Sequence, residues 1–286
     1  MTVSFYRHSW GAVGNGAKWP TLPAFVHAAA AEGYAGVEVP FGDFHRGPAS
    51  PSQTEEDFRQ ALAETNLRFF PLIQTSAQPR SDYAGHLDSF RTLVARAQTW
   101  GARAAAVHIG DDSFDDETSI RFFRDATTIA RDGGIEPYFE THRGRPMYNP
   151  YRTVKILEAL PDIWLTADFA HWIPVLERLP HDLAELFELC AARTAHIHAR
   201  VGHEEGGQVP DPRDPLWEGH IQFHEALWDH CVAHARNRGQ DIAITPEFGP
   251  FPFLLHQPYT ETPLADLADI VAWMQERLQQ RYKTAP

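Results

Sequence analysis

Eight short apolar runs, each closing on polar or charged residues, punctuate the chain, and longer amphipathic stretches separate them. The runs are VSFYRH from Val3, AGVEVP from Ala35, RFFPLIQT from Arg68, AAAVHIG from Ala104, IEPYFETH from Ile135, IWLTADFAH from Ile163, TAHIHARV from Thr194 and DIAITPEF from Asp241. Their length and composition predict strands. Between them, LPAFVHAAAAEG, TEEDFRQALAETN, AGHLDSFRTLVARAQTWG and ETSIRFFRDATTIARDGG carry helical periodicity. Several close on glycine, which takes the left-handed turn that ends a helix at least steric cost. Thr54, with Glu55 to Asp57 behind it, is expected to cap a helix with an acidic first turn.

Strand-then-helix alternation calls for parallel strands joined by helical crossovers, and eight such units make a closed (β/α)8 barrel. A doubly wound open sheet is the alternative, and it usually shows a glycine-rich phosphate turn after its first strand. GAVGNG at Gly11 to Gly16 reads GxxGxG and not GxGxxG, so the α/β expectation is a single TIM barrel. One domain over residues 1–286 is expected, with long rim loops at about 8–20, 201–220 and 248–262. Loops of that length in a compact domain tend to be lids or binding segments.

Composition narrows the function classes. A formal net charge of -13 opposes a broad grip on phosphate backbones, so nucleic acid and anionic membrane are poor partners. The first residues lack a basic flank followed by an apolar run, and no stretch approaches a spanning helix, so a soluble cytoplasmic protein is expected. Cys190 and Cys231, both inside helix-like segments, read as buried free thiols and indicate neither a disulfide framework nor a cysteine metal site.

In such a barrel the active site lies at the C-terminal ends of the strands. Strand two is expected to end at Glu38, strand three at Gln74 and strand four at His108. Strand five ends at Glu140, with His142 and Arg143 beyond, and strand six at Asp168, with His171 three residues on. Strand seven carries His196, His198 and Arg200, and strand eight ends at Glu247. Glu140, Asp168, one histidine of the HIH triplet and Glu247 would converge on the axis. Three crowded carboxylates repel and raise one another's pKa unless a cation sits among them. The oxygen-rich set suits Mn2+, Mg2+ or Co2+ more than a structural Zn2+.

YFETHRG at 138–144, LTADFAHW at 165–172, HIHARVGH at 196–203 and TPEFGP at 245–250 resemble the xylose-isomerase-like barrel superfamily. That group holds sugar isomerases and epimerases, inosose dehydratases and an abasic-site endonuclease. The resemblance to its ketose 3-epimerases implies that Glu140, Asp168, the strand-seven histidine and Glu247 hold one divalent ion, Mn2+ foremost, with Mg2+, Co2+ or Zn2+ as alternatives. It also implies that His171 touches substrate. The nuclease pattern needs a third-strand histidine where this chain has Gln74, and an Asp-x-His where it has Asp211-Pro212-Arg213. Two breaks and the acidic balance set the nuclease aside.

The chemistry implied is proton abstraction next to a carbonyl through an enediolate, an isomerase or epimerase reaction on a small carbohydrate. Glu140 and Glu247 are the expected proton carriers. His171, Arg200, His142 and His108 are expected around the oxygen that becomes negative, and Glu38 and Trp172 at the substrate. Trp10, Trp19 and Trp172 fall in rim loops, where rings can stack on a sugar or serve loop packing. A lyase acting on a keto-inositol or 3-keto-glycoside through the same enolate is the alternative, with a non-catalytic sugar-binding barrel behind it. Relatives are often oligomers, so a homo-oligomer is in keeping with the resemblance.

The stretch AHIHARVGH from Ala195 to His203 sets three histidines and an arginine in nine residues. Alternation along the strand places His196, His198 and Arg200 on one face. His198 lies nearer the rim and matches the second histidine of the epimerases' His-x-His, which assigns the ion to it. His196, one layer deeper, is expected to support or fill the core, and His203 to open the long loop.

Overall fold

The computed structural model describes residues 1–14, 17–45 and 51–282. Eight parallel strands close into a barrel in sequence order: β1 (Val3–His8), β2 (Gly36–Pro40), β3 (Arg68–Gln74), β4 (Ala104–His108), β5 (Glu136–Glu140), β6 (Trp164–Ala167), β7 (Thr194–Ala199) and β8 (Ile242–Pro246). Val3 to Phe5 of β1 pair with Ile242 to Ile244 of β8 and shut the ring. Residues 15 and 16 of the GAVGNG turn lie outside the described residues.

Helices α1 (Leu22–Ala31), α2 (Pro51–Thr65), α3 (Tyr83–Thr99), α4 (Asp116–Asp132) and α5 (Pro150–Ala159) follow the first five strands. The short α6 (Trp172–Leu176) and α7 (Ala184–Ala191) follow β6, α8 (Glu218–Arg238) follows β7, and α9 (Leu267–Tyr282) follows β8. Side-chain acceptors open several of them: Asp82, Asp115 and Asn149 each accept a backbone N–H of the first turn of α3, α4 and α5. Each such cap stabilises its helix by about 1 kcal/mol. Gly33, Gly101 and Gly134 close α1, α3 and α4 at φ of 79°, 68° and 71°, as the glycine endings predicted. Thr54 does not cap α2. That helix begins three residues earlier, at Pro51, and Thr54 sits in its first turn.

Alternation divides each strand between two cores. Val37, Val39, Ile73, Val107, Phe139, Leu165, Ile197 and Ile244 face outward into the layer of apolar side chains under the helices. Tyr6, Phe70, Leu72 and Ala106 pack inside the barrel, against Ala104, Tyr138 and Ala243. This inner plug fills the N-terminal end and leaves the opposite end to polar residues. Cys190 and Cys231 are buried free thiols, and burial pushes Cys231 up to about 12. Among the described residues no helix is long and apolar enough to cross a membrane.

Candidate active site

Above the inner plug, strands β5 to β8 deliver one side chain each to a common point. Glu140 ends β5, Asp168 follows β6, His198 lies near the end of β7 and Glu247 follows β8. One donor atom from each lies within 4.8 Å of the others, and all four residues are buried. A cavity of about 200 Å³ opens over them, lined by Glu140 and Glu247 together with His108, His142, Arg200, Gln74, Trp10 and Phe253. A larger cavity of about 620 Å³ lies alongside, between the loops after β1 and β8. It shares His8 and Trp10 with the first but is lined by none of the four convergent residues.

Several local bonds hold the four in place. Asp168 donates its backbone N–H to Thr141 Oγ1 at 2.8 Å, and its Oδ1 accepts the Ala170 N–H at 3.1 Å. Gly202 lets the chain after β7 lie against the chain after β6, because a Cβ there would stand 2.6 Å from the Ala170 carbonyl oxygen. His198 Nε2 bonds to Glu38 Oε1 at 2.9 Å. Since a carboxylate only accepts, Nε2 carries the proton there and the Nδ1 edge faces Glu247 Oε2 at 2.9 Å and Glu140 Oε1 at 3.6 Å. Nδ1 and Glu247 Oε2 are close but not aligned for a hydrogen bond, and both are buried without a hydrogen-bond partner among the described residues.

A divalent ion fits this set. Three carboxylates and an imidazole, whose His198 Nδ1 becomes a donor once an ion displaces the proton that the surrounding carboxylates hold there, and a buried carboxylate oxygen at Glu247 beside it, match the donors of an Mn2+, Mg2+ or Co2+ site. The imidazole is backed by a carboxylate, the usual support of a ligating histidine. In the protein alone, burial pushes the Glu140 carboxyl up to about 7, with Glu247 and Asp168 adding to the rise and His198 opposing it. Burial also works against the charged form of Glu247, but Arg200 and His198 outweigh it and hold that carboxyl well below the usual range.

The cationic and imidazole side chains form a second tier. Arg200 is buried, with Nη2 in close contact with Asp168, 3.4 Å from Glu247 and donating to His171 Nε2 at 2.9 Å. Its Nε and Nη1 have no hydrogen-bond partner among the described residues, and the guanidinium lies against the rings of Trp10 and Phe253. The rings of His108, His142 and His171 follow one another in contact, edge to face at 67° and then tilted at 51°, with centroids 3.8 and 3.7 Å apart. Burial holds all three well below the ordinary histidine pKa, so they are neutral.

Three expected substrate contacts are placed elsewhere. Glu38 lies within β2 and not at its end, fully buried beneath His198, where it also accepts from Thr245 Oγ1 at 2.7 Å. It supports His198, and the polar residue at the cavity beyond β2 is Asp43. Trp172 is fully buried in α6, its indole N–H donating to Met147 O at 3.0 Å and its ring packed on Phe169 and Phe187. His171 is fully buried behind Arg200 and meets the cavity through it. Trp19 packs on Phe25 and under Arg7, whereas Trp10 does line the cavity, edge-on to Phe253. His196 bonds Thr245 Oγ1 at 2.9 Å and Thr166 Oγ1 at 3.2 Å inside the barrel, and His203 packs at a tilt against Trp217 in the loop after β7.

His8 and Asp43 are cavity residues that sequence reasoning did not single out. His8 closes the first strand run, where the rule of polar strand ends finds it, 3.8 Å from Glu247. Asp43 sits in a one-turn helix after β2, accepting from Ser9 Oγ, and no sequence signal marks it.

The profile of the xylose isomerase-like TIM barrel matches residues 26–271. Among curated proteins no sequence matches the chain. Solved structures share its fold at low identity. D-allulose 3-epimerase from Methylomonas sp. in complex with D-allulose is 16% identical with a TM-score of 0.66, over 98% of this chain and 97% of that one. For 3-keto-D-glucoside 4-epimerase from E. coli the values are 12% and 0.60, over 98% and 100%. For a xylose isomerase-like protein from Mycobacterium smegmatis in complex with magnesium they are 14% and 0.57, over 97% and 95%. With that profile covering the barrel from α1 into α9, the chain belongs to the xylose isomerase-like TIM barrel family.

Proposed function

We propose that the protein is a divalent-metal-dependent sugar isomerase or epimerase that moves a proton at the carbon next to a carbonyl. The observation that carries this reading is the convergence of Glu140, Asp168, His198 and Glu247 at the floor of a cavity whose walls are polar and aromatic. Those four side chains would hold the ion, with Mn2+ favoured by their oxygen-rich chemistry. When bound, the ion supplies Lewis-acid polarisation of a carbonyl oxygen.

The remaining work falls to the chain's own groups. Glu140 and Glu247 both line the cavity, from strands β5 and β8, three places apart in the ring, and serve as the pair that takes a proton from carbon and returns one. Neutral His108 and His142 offer ring nitrogens to substrate hydroxyls, and Arg200 offers unpartnered N–H groups to the oxygen that gains negative charge. Trp10 and Phe253 give the cavity an aromatic side suited to a sugar face and help exclude water. The epimerases among the solved structures that share the fold support a carbohydrate substrate.

Proton NMR in D2O, with Mn2+-loaded protein and a panel of ketoses and 3-keto-glycosides, tests the reading. Deuterium entering at the carbon next to the carbonyl, with the carbon skeleton retained, is the expected result. Loss of a leaving group would replace it with a lyase, and no exchange with any member of the panel would remove it.

A further inference from the structure

The larger cavity, of about 620 Å³, opens beside the one over Glu140 and Glu247, and His8 and Trp10 border both. We propose that it receives the substituent of a glycoside whose sugar ring occupies the smaller cavity. The substrate is then a sugar carrying a neutral, largely apolar group and not a free monosaccharide. The proposal rests on the reading of the smaller cavity as a carbohydrate site.

Volume and lining agree on this division. The smaller cavity, about 200 Å³, falls short of the roughly 300–1,000 Å³ usual for a small-molecule site, and the two together lie within that range. Ala12, Phe248, Pro250, Leu254, Leu267 and Val271 give the larger one its apolar surface. Its exposed charges are the carboxylates of Glu261, Asp266 and Asp269 against Lys18, and its other cation, Arg7, is buried and paired with Glu32 at 3.1 Å. That balance opposes a phosphate or carboxylate on the substrate and suits a neutral group.

The border between the cavities is firmly held. Gly249 lies against Trp10, where a Cβ would run into the indole ring. The buried Gln208 side chain clamps Gly249, accepting its N–H at 2.7 Å and donating to its carbonyl at 3.2 Å. The loops after β1 and β8, long enough to serve as binding segments, are thereby fixed against each other, and a ligand lying along them has little order left to impose.

His8 supplies the polar contact at that border. Its Nδ1 accepts the Trp10 N–H at 2.8 Å, so Nε2 carries the ring proton. Nε2 is buried with no hydrogen-bond partner among the described residues, and Glu247 Oε1 stands 3.8 Å away, beyond hydrogen-bond reach. A buried donor left bare is costly. The oxygen that joins the sugar to its substituent would pass this point and accept from His8.

Calorimetric titration of the Mn2+-loaded protein with methyl and phenyl β-D-glucopyranoside, which lack the carbonyl and do not turn over, tests the subsite without reference to activity. The phenyl glucoside should bind about tenfold more tightly than the methyl glucoside. Ala268→Phe from the α9 side and Ala17→Phe from the β1 side each narrow the larger cavity and should bring the two affinities together. His8→Leu should weaken both glucosides alike by about tenfold, with circular dichroism showing that the variants fold. Equal affinities in the wild type, or a preference that both phenylalanine variants retain, overturn the proposal. Tighter binding of cellobiose than of the phenyl glucoside also overturns it, the occupant then being a second sugar. Affinities unchanged in His8→Leu overturn the contact with the bridging oxygen. A preference for the phenyl glucoside, with no deuterium exchange in any ketose or 3-keto-glycoside, supports the subsite and removes the isomerase reading. Exchange with equal affinities does the reverse.

Discussion

Glu38 on β2 and His198 on β7 meet across the barrel, His198 Nε2 to Glu38 Oε1 at 2.9 Å, with both side chains fully buried. Burial alone would raise the Glu38 carboxyl, but His198 and His196 outweigh it and bring it down to about 2. The bond turns His198 so that Nδ1 faces Glu140 and Glu247. Glu38→Gln keeps the shape and removes the charge. The variant is expected to fold and to bind Mn2+ about 10- to 100-fold more weakly by titration calorimetry. An unchanged affinity would separate Glu38 from the ion site.

Trp172 gives the opposite kind of expectation. Its ring is enclosed between Phe169 and Phe187 and its N–H is satisfied by Met147 O. Trp172→Phe should lose about 1–3 kcal/mol of stability in denaturant unfolding while KM stays the same. A raised KM at unchanged stability would return Trp172 to the substrate.

Gly202 carries no chemistry, yet activity is expected to depend on it. A methyl group at that position meets the Ala170 backbone, in the segment between Asp168 and His171. Gly202→Ala should displace those two residues and Arg200 relative to one another and lower kcat by about 10- to 100-fold in a folded protein. Wild-type kcat would show that the close approach of the two loops is not needed for the geometry.

Acid should destabilise the protein, through groups that burial keeps uncharged. His224 and His196 are both brought down to about 3 from an ordinary 6.5, mainly by burial. Between pH 6.5 and 3 the unfolded chain binds protons that the folded chain refuses, so stability falls as pH falls through that window. Each such group costs about 2 kcal/mol at pH 5. His224 also accepts the Gly202 N–H at 3.1 Å, and in His224→Gln the side-chain amide oxygen can take over that bond without titrating. Denaturant unfolding at pH 7.5 and pH 5 should show a smaller loss for His224→Gln than for the wild type. Parallel losses would count against the assignment.

Much of the barrel is legible in the chain because its strands are apolar on the outer face and close on polar residues at one end, and both features survive in a short sequence window. The convergence of Glu140, Asp168, a β7 histidine and Glu247 follows from strand order and alternation, and the resemblance to the epimerases' His-x-His picks His198 as that histidine. Depth is harder to read. Glu38 and His196 share the inward face with rim residues, and only the stagger of the closed ring puts Glu38 level with the underside of His198 and His196 between Thr166 and Thr245. Trp172 misleads because a residue just past a strand end reads as loop, whereas the chain turns at once into α6 and tucks the indole inward. Asp43 is hidden for a related reason: a one-turn helix after β2 brings it back over the cavity.

If Glu140 and Glu247 carry a proton to and from a carbon next to a carbonyl, hydrogen exchange at that carbon measures it directly. With Mn2+-loaded wild-type protein in D2O, proton NMR should show loss of the signal at that carbon of a turned-over ketose, and chelation should stop it. Glu247→Gln should abolish the exchange while its circular dichroism matches the wild type. Full exchange by Glu247→Gln would contradict the account.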